Sequence, residues 1–280
     1  MSEAVLYIVA TPIGNLEDLT PRAQDVLQSV AIIAAEDTRH SARLMAHFNI
    51  KTPMISVHEH NERQRIDKIV ELLSSGQSVA LISDAGTPLI SDPGFVIVRA
   101  VRDAGFKVSP VPGCCAFVAA LSAAGLPSDR FIFEGFLPAK SGARQQVLEQ
   151  FAEESRTVLF YESTHRIEDS VADMLQVFGE ERFVVVAREL TKTFETIHGA
   201  PVGELLEWLR ADHNQRKGEF VVLVKGVESA ARSDGLDAEA ERVLDILLSE
   251  LSVKQASALA AQITGVKKKQ LYQAALDKQK

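Results

Sequence analysis

Residues 78–95 read "SVALISDAGTPLISDPGF", and this stretch decides the fold. "SVALIS" is apolar on both faces, as expected of a central strand in a parallel sheet whose two sides are covered by helices. It runs into Asp84, Gly86, Thr87, Pro88, Ser91, Asp92 and Gly94. Gly and Pro in such a loop leave backbone N–H and C=O groups pointing outward instead of pairing in a ladder. Ligands in open parallel sheets bind beyond the carboxyl ends of the strands. The loop is therefore expected to form a ligand floor, with Asp84 beside the cleft and Thr87 contributing to it. Asp92 followed by Pro93 is expected to cap the next helix.

Outward from that strand, the alternation of strand and helix continues in both directions. "VLYIVA" is a β-branched buried strand, and Thr20-Pro21 opens a helix as N-cap and first residue. "AIIAA" is a strand, "TRHSARLMAHF" a helix capped by Thr38, and "PMISV" a strand leading to a polar helix from near Asn61. A helix over 93–104, the strand "FKVSPV" and a small-residue helix ending at Gly125 complete one α/β domain, 1–124. The pattern then restarts with "RFIFEGF", "TVLFYES", "RFVVVARE" and "GEFVVLVKG" as strands, and helices between them over 142–153, 165–179 and 201–210. This gives a second α/β domain, 125–226. "VESAARSDGLDA" reads as a linker, assigned to 227–236.

The segment 237–280 differs in kind. Val243, Leu244, Ile246, Leu247 and Leu251 make a helical stripe, Ser252 opens a second helix, and Gly265 turns into a third. Ala261 four residues before that glycine and Leu271 six after it match helix-turn-helix spacing. The whole chain of 280 residues carries a net charge of −8, which excludes wholesale coating of a polyanion. The last thirty residues nevertheless hold six lysines, Lys267, Lys268 and Lys269 among them, against the single acid Asp277. A basic end on an acidic body suggests that one part of the molecule meets nucleic acid.

Composition sets further bounds. An apolar share of 46% and a charged share of 24% are those of an ordinary soluble globular protein. No apolar run reaches membrane-spanning length, and "MSEAVLYIVA" shows no basic region or cleavage site, so a cytoplasmic protein is expected. Cys114 and Cys115 are adjacent and cannot staple distant segments. Without an evident third group, they read as small residues admitting close approach of a ligand, not as nucleophiles. "HEH" at 58–60 lacks a spaced third ligand, so no metal is expected. "VATPIGNL" has one glycine where a dinucleotide fingerprint needs three, which discounts NAD and ATP.

Ionisable residues gather at the remaining strand ends. "AEDTRH" supplies Glu36, Asp37, Arg39 and His40. "FYESTHRI" and "ARELTKTFETIHG" supply Glu162, His165, Arg166, Arg188, Glu189, Lys192, Glu195 and His198. Such clustering at a ligand-binding edge favours function over plain ion pairing. Glu36, Asp37, Glu189 and Lys192 are the candidates for assisting catalysis. Arg39, Arg166 and Arg188 are candidates for gripping phosphates, together with Lys267, Lys268 and Lys269.

Taken in order, "ATPIGNLEDLT", "AEDTRH", "SDAGTPLISDPG", "PGCCAFVAALSAAGLPSDRF", "FYESTHR", "RELTKTFETIHG" and "KGEFVVLV" resemble the S-adenosylmethionine-dependent tetrapyrrole methylase superfamily. Within it they resemble the bacterial 16S rRNA 2′-O-ribose methyltransferases that modify a decoding-site cytidine. The resemblance implies two α/β domains with the methyl donor, S-adenosylmethionine, held in a cleft between them, a helical C-terminal domain, and a homodimer acting on 16S rRNA of the small ribosomal subunit. By motif position it places donor contacts on Pro12, Ile13, Thr87, Ile90, Cys115, Ala116 and Tyr161. Two other readings remain at this point: a methylase of a small tetrapyrrole, and a ligand-sensing helix-turn-helix regulator of DNA.

Overall fold

A computed structural model describes residues 4–58, 61–227, 236 and 238–278. The chain separates into two compact units, Met1–Gly226 and Val227–Lys280. The first unit begins with β1 (Val5–Val9), α1 (Pro21–Ser29), β2 (Ile32–Ala35), α2 (Thr38–His47), β3 (Met54–Ser56), α3 (Glu62–Ser74), β4 (Val79–Ile82), α4 (Phe95–Asp103), β5 (Lys107–Val111) and α5 (Ala116–Ala123). Its five strands form an all-parallel sheet in the order β3-β2-β4-β1-β5.

The "SVALIS" strand is central, and its alternation explains why both faces are apolar. Ala80 and Ile82 pack with Leu27 of α1 and Met45 of α2, whereas Val79 and Leu81 pack with Ile69 and Leu73 of α3 and Ile97 of α4. Helix starts follow local chemistry. The Thr20 hydroxyl accepts the Ala23 N–H at 3.1 Å and Pro21 takes the first helical position. Helix α2 is capped by Asp37, whose carboxylate accepts the Arg39 N–H at 2.8 Å, so Thr38 is its first residue and not its cap. Helix α4 starts at Phe95, two residues later than expected. Its N-cap is Gly94, with φ +123°, and the Glu62 carboxylate accepts the Gly94 N–H at 3.2 Å. Asp92 therefore does not cap α4.

The unit continues with β6 (Phe131–Phe136), α6 (Ser141–Glu149), β7 (Thr157–Ser163), α7 (Ile167–Phe178), β8 (Phe183–Arg188), β9 (Thr196–Pro201), α8 (Val202–Ala211) and β10 (Glu219–Val224). The second sheet has the order β6-β7-β10-β8-β9. Only β6 and β7 are parallel; the other three pairings are antiparallel. Helices α6 to α8 cover one face through Leu148, Val171, Met174, Leu205 and Leu209. The other face packs against Ala120 and Leu121 of α5 and Ile13 of the loop after β1. Strand β9 escapes a reading of the sequence because it is a sheet edge. Of its six residues only Ala200 is buried, so no apolar alternation betrays it.

The second unit contains α9 (Ala238–Leu248), α10 (Val253–Thr264) and α11 (Lys268–Asp277). Its core is Ala240, Val243, Leu244, Ala256, Ala260, Leu271 and Ala275. Small residues on α10 let the helices approach closely. Gly265, at φ +72°, ends α10 by donating its N–H to Ala261 O at 3.1 Å. Ile246 departs from the expected stripe and is exposed. Among the described residues no helix is long and apolar enough to cross a membrane.

Candidate active site

The loop after β4 folds back over the end of β1. Thr11 N–H donates to Gly86 O at 2.8 Å and Gly86 N–H to Thr11 O at 3.0 Å, while the Thr11 hydroxyl donates to Ser83 O at 3.2 Å. The Thr87 hydroxyl donates to Cys114 O at 2.9 Å, tying the same loop to the turn before α5. Leu89 and Ser91 sit in the left-handed region at φ 74° and 62°. Non-glycine residues there are strained and cluster at ligand clamps.

Between this edge and the inner face of the second sheet lies a cleft of about 700 Å³. That is the size of a small-molecule site. Ile13, Asp84, Thr87, Ile90, Cys115 and Ala116 line it from the first half, and Tyr161, Glu189 and Lys192 from the second. Glu36 lines it as well. Pro12 is buried and is not part of the lining.

Three carboxylates face the cleft from the first sheet: Glu36, Asp84 and Asp92. Asp84 N–H donates to Glu36 Oε2 at 3.4 Å, and Asp84 Oδ1 accepts the Asp37 N–H at 3.1 Å. Burial pushes the Asp92 carboxyl up to about 6; the charges of Glu36 and Asp84 add to the rise and a hydrogen bond from Ser83 opposes it. Burial likewise pushes both cysteine thiols above their ordinary value, so neither is an activated nucleophile. The Tyr161 hydroxyl, raised by burial, accepts the Phe117 N–H at 3.3 Å.

At the opposite wall Lys192 Nζ lies 2.8 Å from Glu189 Oε1 and 2.7 Å from Glu219 Oε2. Burial pulls the Lys192 ammonium down, but the bonds to Glu189 and Glu219 outweigh it and hold the group above its ordinary value. Burial pushes Glu189 up, and the bonds from Lys192 and the Glu219 N–H outweigh that, leaving it below its ordinary value. Lys192 is thus a held cation and not a neutral base. Glu189 and Thr191 are left-handed, at φ 51° and 65°, and the Thr191 hydroxyl accepts the Asn15 N–H at 3.0 Å across the cleft.

Several candidates have other work. Asp37 is clamped by Arg39 at 3.3 and 3.1 Å, and this bond, with the cap bond from the Arg39 N–H, holds its carboxyl at about 2. It lies outside the lining of the cleft. Arg39 is spent on that pair, although it remains open to solvent. Arg188 is buried and donates to Lys217 O at 2.6 Å and Phe194 O at 3.0 Å, which staples the β8–β9 connection. Arg166 is held by Leu137 O at 3.0 Å and by the buried Glu162 at 3.0 Å. Both guanidinium groups are thus engaged within the protein, and neither lines the cleft. In the second unit Lys267, Lys268 and Lys269 are exposed at the start of α11. Cations there oppose the helix dipole, so they do not serve the helix itself. Glu59 and His60 of the "HEH" stretch lie outside the described residues, and no group of three metal-binding side chains occurs among those described. Asp92, Phe136, His165 and Glu219 also line the cleft. Of these, sequence reasoning misplaced Asp92 as a cap and passed over Phe136 and Glu219.

The lining fits S-adenosylmethionine. Apolar Ile13, Ile90 and Ala116 suit its flat and aliphatic parts, and three carboxylates suit its sulfonium and ammonium charges.

Comparison with known proteins agrees. Residues 5–206 match the family model for tetrapyrrole (corrin/porphyrin) methylases, and residues 234–280 match the model described as the RsmI C-terminal HTH domain. The chain is 59% identical over 279 residues to the ribosomal RNA small subunit methyltransferase I of Pseudomonas aeruginosa, covering 100% of this chain and 99% of that one. It is 57% identical to the protein of the same name from Escherichia coli O157:H7, covering 99% and 96%. Among solved structures, methyltransferase CobJ superposes with a TM-score of 0.59 at 19% identity, covering 81% of this chain and 95% of that one. Uroporphyrin-III-C-methyltransferase from Thermus thermophilus gives 0.54 at 20% identity, covering 79% and 94%. These last two likenesses establish the fold. The chain belongs to the tetrapyrrole methylase family of S-adenosylmethionine-dependent methyltransferases, and within it to the group of ribosomal RNA small subunit methyltransferases I.

Proposed function

We propose that the protein methylates the ribose 2′-oxygen of a decoding-site cytidine in 16S rRNA of the small ribosomal subunit. The observation that carries this reading is that one chain joins a methyl-donor cleft to a helical unit whose Lys267, Lys268 and Lys269 are exposed where no helix needs them. A methylase of a small tetrapyrrole has no use for such a unit. The names of the full-length relatives support rRNA as the substrate class. The test is to supply tritiated donor and small subunits lacking the modification, and then to locate the label.

When bound, S-adenosylmethionine supplies a methyl carbon already made electrophilic by its sulfonium. The chain's task is then to hold the hydroxyl in line and to accept its proton. Asp92 lines the cleft with its carboxyl pushed up by burial to about 6, and is the candidate to accept the proton of the 2′-hydroxyl. Glu36 and Asp84 add negative charge beside the donor. Glu189 and Lys192, fixed to one another, orient the ribose and its phosphate.

Donor affinity is expected to tighten as pH rises through about 6, as Asp92 ionises beside a cationic ligand. Asp92→Asn flattens that rise in calorimetric titration. The same variant separates the effect on folding. A carboxyl raised in the folded state binds extra protons there between 3.8 and about 6, so native stability falls as pH rises through that window. Asp92→Asn removes the fall, and its Tm exceeds wild type at pH 8 but not at pH 3. Equal pH profiles for both proteins would discard the assignment.

For RNA, charge at the helical unit matters locally and not on average. Replacing Lys267, Lys268 and Lys269 together by Gln weakens RNA binding about tenfold at low salt and reduces its salt dependence, with donor affinity unchanged. We further propose that the protein works as a homodimer in the cytoplasm. Exposed apolar Val118 and Phe131 support a subunit contact, and sedimentation at twice the mass of 30.6 kDa is the expected result.

A further inference from the structure

Strand β6 carries an irregularity in its pairing with β7. Phe133 pairs with Leu159 of β7, and the next pair is Phe136 with Tyr161, so three steps on one strand oppose two on the other. This is a β-bulge, and Gly135 provides it at φ +73°. In a regular strand, residues three apart point to opposite faces. Here the extra residue returns Phe136 to the face of Phe133. Both rings meet Tyr161, with centroids 4.8 and 5.5 Å away and near edge-on geometry. The Tyr161 ring is itself fixed by the bond between its hydroxyl and the Phe117 N–H, while Phe117 stacks on Phe133 at 4.4 Å.

The bulge thus turns a phenyl ring into the cleft, yet leaves it 54% exposed. Core packing does not explain a braced aromatic ring with an open face. The residues expected to hold the donor, Ile13, Thr87, Ile90, Cys115, Ala116 and Tyr161, are all partly buried; Phe136 is exposed, as is the His165 ring elsewhere in the lining. The open face of Phe136 is available to a macromolecular substrate that reaches the cleft.

We propose that Phe136 is the stacking platform for a nucleobase of the RNA substrate, at or next to the nucleotide that is methylated. Single-stranded RNA is recognised by unstacked bases laid on aromatic rings, and a ring fixed in advance loses little entropy on binding. Placing the base on Phe136 anchors the attached ribose, which limits where its 2′-hydroxyl can lie. Phe136 acts as a positioning residue, not a catalytic one. The inference rests on the RNA methylation proposed above.

The test uses the full chain with Phe136→Ala, Phe136→Leu and Phe136→Trp. Methyl transfer from labelled donor to unmodified small subunits is measured, alongside donor affinity by calorimetry. The expected result is a KM for subunits raised about tenfold by Ala and by Leu, near-normal in Trp, with donor affinity within twofold of wild type in all three. Donor binding also reports that each variant is folded. Leu performing as well as Trp would reduce the role to apolar packing and overturn the proposal. Loss of donor affinity would assign the ring to the donor's adenine instead, and a change of subunit number would assign it to a dimer contact; either overturns it. If the wild-type protein itself puts no label into RNA, the proposed function falls and takes this inference with it. An unchanged KM in Ala and Leu, with labelled RNA in wild type, defeats the inference alone.

Discussion

Replacing Lys192 by Met in the intact protein lowers methyl transfer to small-subunit RNA at least tenfold, with donor affinity essentially kept. Lys192 is the cation between Glu189 and Glu219, at 2.8 and 2.7 Å. Without it, two carboxylates face each other at the wall of the cleft where a phosphodiester must approach. Glu189 would lose one of the bonds that hold its carboxyl below its ordinary value, and its left-handed backbone would lose a restraint that keeps the 189–192 loop in place. That loop reaches Asn15 through Thr191, so its displacement loosens the cleft wall. Glu189→Gln is expected to fall by a similar factor, because the pair acts as a unit. Single-turnover rates with saturating donor check this. Near-normal rates in both variants would remove the pair from the mechanism.

The second large effect is on stability. Arg144→Met is expected to cost about 3 to 5 kcal/mol, the usual penalty for removing one partner of a buried ion pair. Arg144 Nε lies 2.6 Å from Asp173 Oδ2 between α6 and α7, with both side chains almost fully buried. Asp173 also accepts from the Ser141 hydroxyl at 2.8 Å and the Gln145 amide at 2.7 Å. Burial pushes the Asp173 carboxyl up, but these bonds outweigh it and hold it below its ordinary value. A carboxyl depressed by folding contributes stability above its unfolded value and loses it as pH falls through the folded one. The deficit of Arg144→Met should therefore be full at neutral pH and shrink in acid. Replacing Asp173 by Leu as well should recover most of the loss. Thermal melts over pH 2 to 8 read both outcomes. A deficit below about 1 kcal/mol at neutral pH, or one that grows in acid, contradicts this account.

Much of the first sheet was legible because parallel strands covered on both faces leave an unmistakable apolar run, as at Val79–Ile82. The strand-end loops were legible for a related reason: Gly86, Pro88 and Gly94 have no place in a simple turn. What the sequence hid depends on distant partners. Asp92 resembled a cap because Pro93 and Gly94 follow it, and only the fold shows that Gly94 caps α4 while Asp92 faces Glu36 and Asp84. Arg166 and Arg188 looked like phosphate ligands because a sequence does not reveal which carbonyl a guanidinium meets. Phe136 looked like one more strand residue, since the bulge at Gly135 depends on pairing with β7. The antiparallel edge strand β9 of the second sheet was missed, because its exposed edge carries no periodic signature.

Delivery of a methyl group from this cleft to a ribose oxygen of small-subunit RNA is read out by incubating the protein with tritiated S-adenosylmethionine and small ribosomal subunits lacking the modification, with a tetrapyrrole and duplex DNA in parallel, then digesting to nucleosides. Label is expected in a single 2′-O-methylcytidine and none in the tetrapyrrole or DNA. Label in a base, label in the tetrapyrrole, or binding of DNA without any transfer would contradict that expectation.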